Sequence, residues 1–134
     1  MIPFEFMIDG PPVSLQTKKR QKLQAWKNRV GSAAQAQWPV GTPPVTHEVS
    51  LSITYFYELE APDVDNIIKP IQDALVGVVY NDDTQVEDTK SRKSKIDGAF
   101  RIKGVSPDLA IRLALGKEFL WIRVLPAPSH EELT

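Results

Sequence analysis

Every second residue from 49 to 57 is apolar: Val49, Leu51, Ile53, Tyr55 and Tyr57. That period of two predicts a strand over 48–57 with one side buried. Directly after it the pattern changes. Beyond Asp63-Val64-Asp65-Asn66, the residues Ile67, Ile68, Ile71, Ala74 and Leu75 fall on one face of a helix near 66–76. A chain that turns from strand period to helix period across a short acidic connection belongs to a class that mixes the two, and its other segments agree.

Residues 2–9 are mostly apolar and aromatic, a strand ended by Gly10-Pro11-Pro12. Over 17–37, Leu23, Trp26, Val30, Ala33 and Ala34 recur at helical spacing among Lys and Arg, giving a long helix with a basic outer face. The proline-rich stretch 39–46 is a loop. Val78-Val79-Tyr80 leads into Asn81-Asp82-Asp83, and 86–96 reads as a polar edge strand whose lysines discourage sheet-to-sheet aggregation. Ser106-Pro107-Asp108 has the order N-cap, N1 and N2 of a helix that ends near Gly116. Residues 119–125 form a closing strand, and 126–134 a loose tail. The expectation is an α+β fold in one domain over 1–134: a small mixed sheet of about four strands packed with two to three helices.

Pro70 is the one residue at odds with its element. Inside a helix it removes a backbone bond and crowds the carbonyl four residues back, here that of Asn66. Either the helix kinks at Pro70 or regular helix begins there; the kinked form is the expectation.

Composition removes several classes of chemistry. There is no cysteine, so disulfides, thiolate zinc sites and cysteine nucleophiles are excluded. No apolar stretch approaches the roughly 20 residues needed to cross a bilayer, and no secretory signal is visible at the N-terminus. A soluble, intracellular protein is expected. His47 and His130 stand alone without metal-ligand spacing, and no phosphate-cradling glycine loop occurs. Trp26 and Trp38 offer surfaces on which unpaired bases stack, although helical spacing assigns Trp26 to the core and an apolar strand does the same for Trp121.

A formal net charge of −1 argues at first against a nucleic-acid ligand. The charges are segregated, however. Lys18, Lys19, Arg20, Lys22, Lys27 and Arg29 form one block; Lys90, Arg92, Lys93, Lys95, Arg101 and Lys103 form a second, and together they hold 12 of the 16 basic residues. The acids gather in Glu58, Glu60, Asp63 and Asp65 and in Asp82, Asp83, Glu87 and Asp88. Basic tracts flanking acidic clusters suit an enzyme that grips phosphate and holds a cation. Lys18, Lys19, Arg20, Lys22, Lys90, Arg92, Lys93 and Lys95 are the candidate DNA contacts. The bland alternative is a pair of solvated faces.

Asp63 and Asp65 alternate out of an extended segment and so point the same way. Two converging carboxylates repel unless a cation or protons intervene. Magnesium is the natural cation, since it takes oxygen ligands and binds through one or two carboxylates plus substrate phosphate. Asp65 is also a good N-cap for the following helix, with Lys69 and Asp73 stacked at four-residue steps on its polar face. Lys69 is then either a group aimed at phosphate or half of a surface ion pair with Asp65 or Asp73.

Asp63-x-Asp65-Asn66-x-x-Lys69-x-x-x-Asp73-Ala74-Leu75, then Gly77, then Asp82-Asp83-x-Gln85-Val86, resembles the core of the RusA Holliday junction resolvases of bacteria and their phages. The Gly10-Pro11-Pro12 turn resembles that family's N-terminal element. The resemblance is specific over 58–90, looser over 1–30 and weak beyond 98; residues 104–118 have no counterpart in it.

The resemblance implies a homodimeric, Mg²⁺-dependent endonuclease, with Mn²⁺ a possible substitute, that nicks paired strands of four-way DNA junctions in a bacterial cytoplasm. It needs no organic cofactor and no membrane. Asp63, Asp65 and Asp83 would be the essential acids, also the metal ligands, and Lys69 the essential basic residue. Asp82, Asn66 and Asp73 would support them. A two-fold junction must be nicked twice, which a C2 dimer does with matched sites; the apolar 109–115 helix and the 48–57 strand are candidate interfaces. Two rival readings stay open: a branched-DNA-binding dimer with structural acids, and a metal-dependent phosphoesterase acting on other phosphate esters.

Overall fold

In the computed structural model, which describes residues 2–59, 65–96 and 106–128 and only the backbone of Asp65, the expected elements are present. They run β1 (Phe4–Asp9), α1 (Arg20–Gln37), β2 (Val49–Tyr57), α2 (Asp65–Ala74), a 3₁₀ turn (Asp83–Gln85), β3 (Val86–Lys95), α3 (Pro107–Leu115) and β4 (Phe119–Pro126). The strands form one mixed sheet in the order β1-β4-β2-β3. β4 pairs antiparallel with both β1 and β2, while β2 and β3 are parallel. A parallel pair needs a crossover, and α2 supplies it. The fold is the α+β arrangement that the periodicities predict.

The helices cover both faces of the sheet. On one face, Trp26, Val30 and Ala34 of α1 and Ile67, Ile71 and Leu75 of α2 share a core with Phe4, Phe6 and Ile8 of β1 and with Leu51, Ile53 and Tyr55 of β2. On the other, Leu109 of α3 packs against Phe56 and Phe119, whose rings stack with centroids 4.8 Å apart. This second layer corrects the one-sided reading of β2. Thr54 and Phe56 are buried as well, because α3 covers the face that alternation assigns to solvent. Residues 106–116 thus form the cover of that face, with both helix ends well defined. Ser106 caps α3 by accepting from the Leu109 N–H, and Gly116 ends it in the left-handed region at φ 68°. Phe56→Ala should therefore cost about 3–5 kcal/mol of folding stability, measurable by urea denaturation, because it empties the centre of the α3 layer.

One further expectation changes. β2 lies between β3 and β4 with both edges paired, so it offers no edge to a second chain. Of the two alternatives at Pro70, helix beginning there is excluded, since α2 starts at Asp65 and continues through Pro70, which is buried. The carbonyl that Pro70 leaves without a helical donor, that of Asn66, accepts instead from the Leu15 N–H at 2.9 Å. The loop after Pro11-Pro12 is thereby tied to the first turn of α2, which is how a buried helical proline keeps its backbone satisfied. The helix also begins at Asp65 itself, so the capping position falls outside the described residues.

Trp26 and Trp38 are buried and cannot stack on bases. Trp38 meets Phe4 edge-on at 5.0 Å and donates from Nε1 to the Thr42 carbonyl. Trp121 is half-buried and donates to Glu5. No described helix is long and apolar enough to cross a membrane.

Candidate active site

α2 presents Lys69 and Asp73 one turn apart on its polar face, as their spacing requires. What the spacing does not show is where the turn at 81–85 goes. It returns to α2. Lys69 Nζ donates to Asp83 Oδ2 at 2.6 Å and also lies 2.9 Å from Asp73 Oδ1. From the neighbouring helix, Lys27 reaches Asp73 at 3.5 Å. The result is an alternating row Lys27–Asp73–Lys69–Asp83, running from α1 across α2 to the start of β3.

The row is partly open to solvent, with 45% of the Lys69 side chain and 34% of Asp83 exposed. Its electrostatics follow from contact rather than burial. The hydrogen bond from Lys69 holds the Asp83 carboxyl below the usual carboxylate range, with hydrogen bonding at Asp82 adding to it. Reciprocally, the bonds to Asp83 and then Asp73 hold the Lys69 ammonium above the ordinary lysine value. Both groups are charged at neutral pH.

The turn itself is heavily tied down. Asp82 Oδ1 accepts from the Thr84 N–H at 3.0 Å, and Gln85 Oε1 accepts from the Asp82 N–H at 3.0 Å, a reciprocal capping box around the 3₁₀ turn. Gln72 Nε2 donates to the Asp83 carbonyl at 3.4 Å, and the Tyr80 hydroxyl donates to the Gln72 carbonyl at 2.6 Å. Burial raises the Tyr80 hydroxyl pKa, keeping it a donor. Lys27, Gln72, Tyr80 and Gln85 received no site role from the sequence. For Gln85 a signal exists: Asp-x-x-Gln is capping-box spacing.

The expected basic residues do not all share the face of this row: Lys90 and Arg92 stand opposite Ser52 and Thr54, on the α3 side of the sheet. Lys18, Lys19, Arg20 and Lys22 are exposed around the start of α1, and Lys90, Arg92, Lys93 and Lys95 are exposed along β3. None of the eight forms an ion pair with another described residue. Lys93 and Lys95 stand opposite Tyr55 and Tyr57 in the parallel register, hence on the sheet face that carries α2. Asp63, Arg101, Lys103, His130 and most of the expected tail lie outside the described residues, as does the Asp65 side chain. Among the described residues no three metal-ligating side chains gather.

A family model for the endodeoxyribonuclease RusA matches residues 11–103. The chain belongs to that family. The match covers α1, β2, α2, the Asp82–Asp83 turn and β3, the segments that build and flank the charged row. The protein is accordingly an endodeoxyribonuclease, a hydrolase acting on Holliday junctions, from a family whose enzymes depend on a divalent metal and bind branched DNA. Comparison with individual curated proteins gave no match. In this RusA-family chain Asp83 is an ionised carboxylate beside Lys69, and carboxylate oxygens are the ligands that a hard divalent cation takes.

Proposed function

We propose that this RusA-family enzyme resolves four-way DNA junctions by Mg²⁺-dependent hydrolysis, with Asp63, Asp65 and Asp83 as metal ligands and Lys69 at the phosphate. The observation that carries this reading is the 2.6 Å contact between Lys69 and Asp83, made across 14 residues by a helix and a turn that the fold brings together. Mg²⁺, or Mn²⁺ in its place, would polarise the phosphate and lower the pKa of a bound water. Lys69 carries a positive charge at the point where phosphoryl oxygens gain negative charge. In hydrolysis the water oxygen bonds to phosphorus, one bridging P–O bond breaks, and the departing oxygen takes up a proton. The Lys69 ammonium is placed to stabilise that oxygen as it leaves. Asp73 holds Lys69 from the opposite side, and Asp82 and Asn66 support the turn and the head of α2.

Lys18, Lys19, Arg20 and Lys22 at the start of α1, with Lys93 and Lys95 on the α2 side of β3 and Lys90 and Arg92 on its other side, would neutralise phosphates of the junction arms. Two matched nicks call for a C2 dimer. Of the candidate interfaces, the α3 face remains, with Ile111 and Leu115 exposed at 59% and 62%. The single domain over 1–134 would work in the bacterial cytoplasm, encoded by the chromosome or by a phage.

The deciding assay compares a synthetic four-way junction, linear duplex DNA, single-stranded RNA and a nitrophenyl phosphate in Mg²⁺. Paired, symmetric nicks confined to the junction are expected, from a protein that sediments as a dimer at micromolar concentration. Hydrolysis of the nitrophenyl ester at comparable efficiency would instead identify a general phosphoesterase, and binding without cleavage in Mg²⁺ or Mn²⁺ would refute the catalytic assignment.

A further inference from the structure

Gln85 uses its whole side-chain amide. Nε2 donates to the carbonyls of Val45 and His47 at 2.9 and 3.0 Å, and Oε1 accepts from the N–H groups of Asn81 and Asp82 at 2.8 and 3.0 Å. Two donors and two lone pairs are all that a glutamine amide has. One side chain thus joins two segments, the loop before β2 and the turn that carries Asp83, immediately before β3 begins.

The surroundings make this connection stiff. The Val45 N–H donates to the Val79 carbonyl at 2.8 Å, and the Gly77 N–H to the Tyr80 carbonyl at 2.7 Å. Val79 and Tyr80 are fully buried. The segment entering the turn is therefore held by the core, while Gln72 holds the Asp83 carbonyl from α2. Between them, Asn81 and Asp82 are exposed and have their N–H groups fixed by Gln85. Glutamate would not substitute. Its carboxylate would keep the two acceptor bonds but set negative charge against the carbonyls of Val45 and His47, which need donors.

We infer that Gln85 is a positioning residue for the cleavage reaction: its amide sets the orientation in which Asp83 meets Lys69. The inference rests on the assignment of Asp83 and Lys69 to the active site. A group that acts through Asp83 should govern turnover and metal use rather than grip on DNA. A shift of the order of 1 Å in a reacting group is enough to cost about 10²-fold in rate.

The test uses the full chain, a synthetic four-way junction and MgCl₂, at a temperature where circular dichroism shows each variant folded. Gln85→Met, which removes all four bonds, is expected to lower kcat by about 10²-fold. The KM for junction should stay within about twofold, while the Mg²⁺ concentration for half-maximal rate rises, because the lost interaction acts in the reacting state. Gln85→Glu keeps the turn-side bonds and loses those to Val45 and His47; where it is folded, its kcat loss should be smaller and again without a change in KM. In the Asp83→Asn background, Gln85→Met should cause no further loss, since residues acting as a unit are not additive. A Gln85→Met enzyme within threefold of wild-type kcat, or one whose loss adds in full to that of Asp83→Asn, overturns the inference alone. Wild-type cleavage by Asp83→Asn overturns the site assignment and the inference with it.

Discussion

Asp83→Asn should lower the rate of junction cleavage in Mg²⁺ by about 10²–10³-fold while leaving junction binding at wild-type strength or slightly tighter. The substitution is nearly isosteric and keeps an oxygen toward Lys69, so the turn should retain its shape through the Gln72 and Gln85 bonds. What disappears is one full negative charge. Among the described residues Lys69 then retains only Asp73, at 2.9 Å, as an anionic partner, and on the proposed assignment a divalent cation loses a carboxylate ligand. Removing an acid from a surface that must approach phosphate lowers repulsion, which is why binding should not suffer. The expected signature is thus a separation: gel-shift affinity preserved, single-turnover cleavage lost. Retention of the wild-type rate in Mg²⁺ would remove Asp83 from the site, and a parallel fall in affinity and rate would mean that the turn had collapsed. Stability should change little at neutral pH, because Asp83 is substantially exposed and such pairs contribute weakly. Its sign is nonetheless defined. A carboxyl held below its usual range contributes stability that is present above that range and is lost as pH falls through the folded value. The wild-type advantage over Asp83→Asn should therefore vanish in acid.

The sequence carried the fold further than the site. Alternation in 48–57, helical spacing in 17–37 and the Ser106-Pro107/Gly116 punctuation each locate an element to within a few residues, because each reports a local periodicity or a cap. Strand order is a different matter. β1 and β4 lie at opposite ends of the chain yet pair residue for residue from Phe4↔Val124 to Asp9↔Phe119, and no local pattern encodes that partner. The second buried face of β2 was hidden for the same reason: Thr54 and Phe56 read as the solvent side until α3 is known to cover them. At the site, the four-residue step from Lys69 to Asp73 is local and legible. The closure of Asp83 onto Lys69 depends on the β2–α2–β3 crossover bringing the turn back to the helix, so only the family pattern could place it in advance. Gln85 shows the middle case. Its capping-box spacing from Asp82 is visible in the sequence, but its bonds to Val45 and His47, some 40 residues earlier, are not.

Lys69→Met should likewise abolish most cleavage, by about 10²–10³-fold, and here the contrast with stability decides what the lysine is for. If Lys69 were only a helix-surface partner of Asp73, its loss would cost about 0.3–0.5 kcal/mol and leave the enzyme active. The structure gives it a second, shorter contact, to Asp83 at 2.6 Å, which lies outside its own helix. An ammonium held between two carboxylates is fixed in place and kept charged, as its raised pKa reflects. A fixed positive charge beside the cleavage centre costs no reorganisation when negative charge develops on the phosphate, whereas water in the same place must reorient. Lys69→Met keeps the aliphatic stem over α2 and removes only that charge, leaving Asp73 and Asp83 to face the incoming phosphate without a cation between them. Urea denaturation should therefore show a small change, under about 1 kcal/mol, beside a rate loss of two or more orders of magnitude. A lysine with a raised pKa contributes stability below its ordinary titration range and loses it as pH rises through the folded value, so even that small difference should close in strong base. Lys69→Arg separates charge from shape. The guanidinium keeps the positive charge but spreads it over a planar fork, so it should hold the stability of the row while recovering only part of the rate. Full activity in Lys69→Arg would mean that charge alone suffices, and full activity in Lys69→Met would return Lys69 to the role of a surface ion pair.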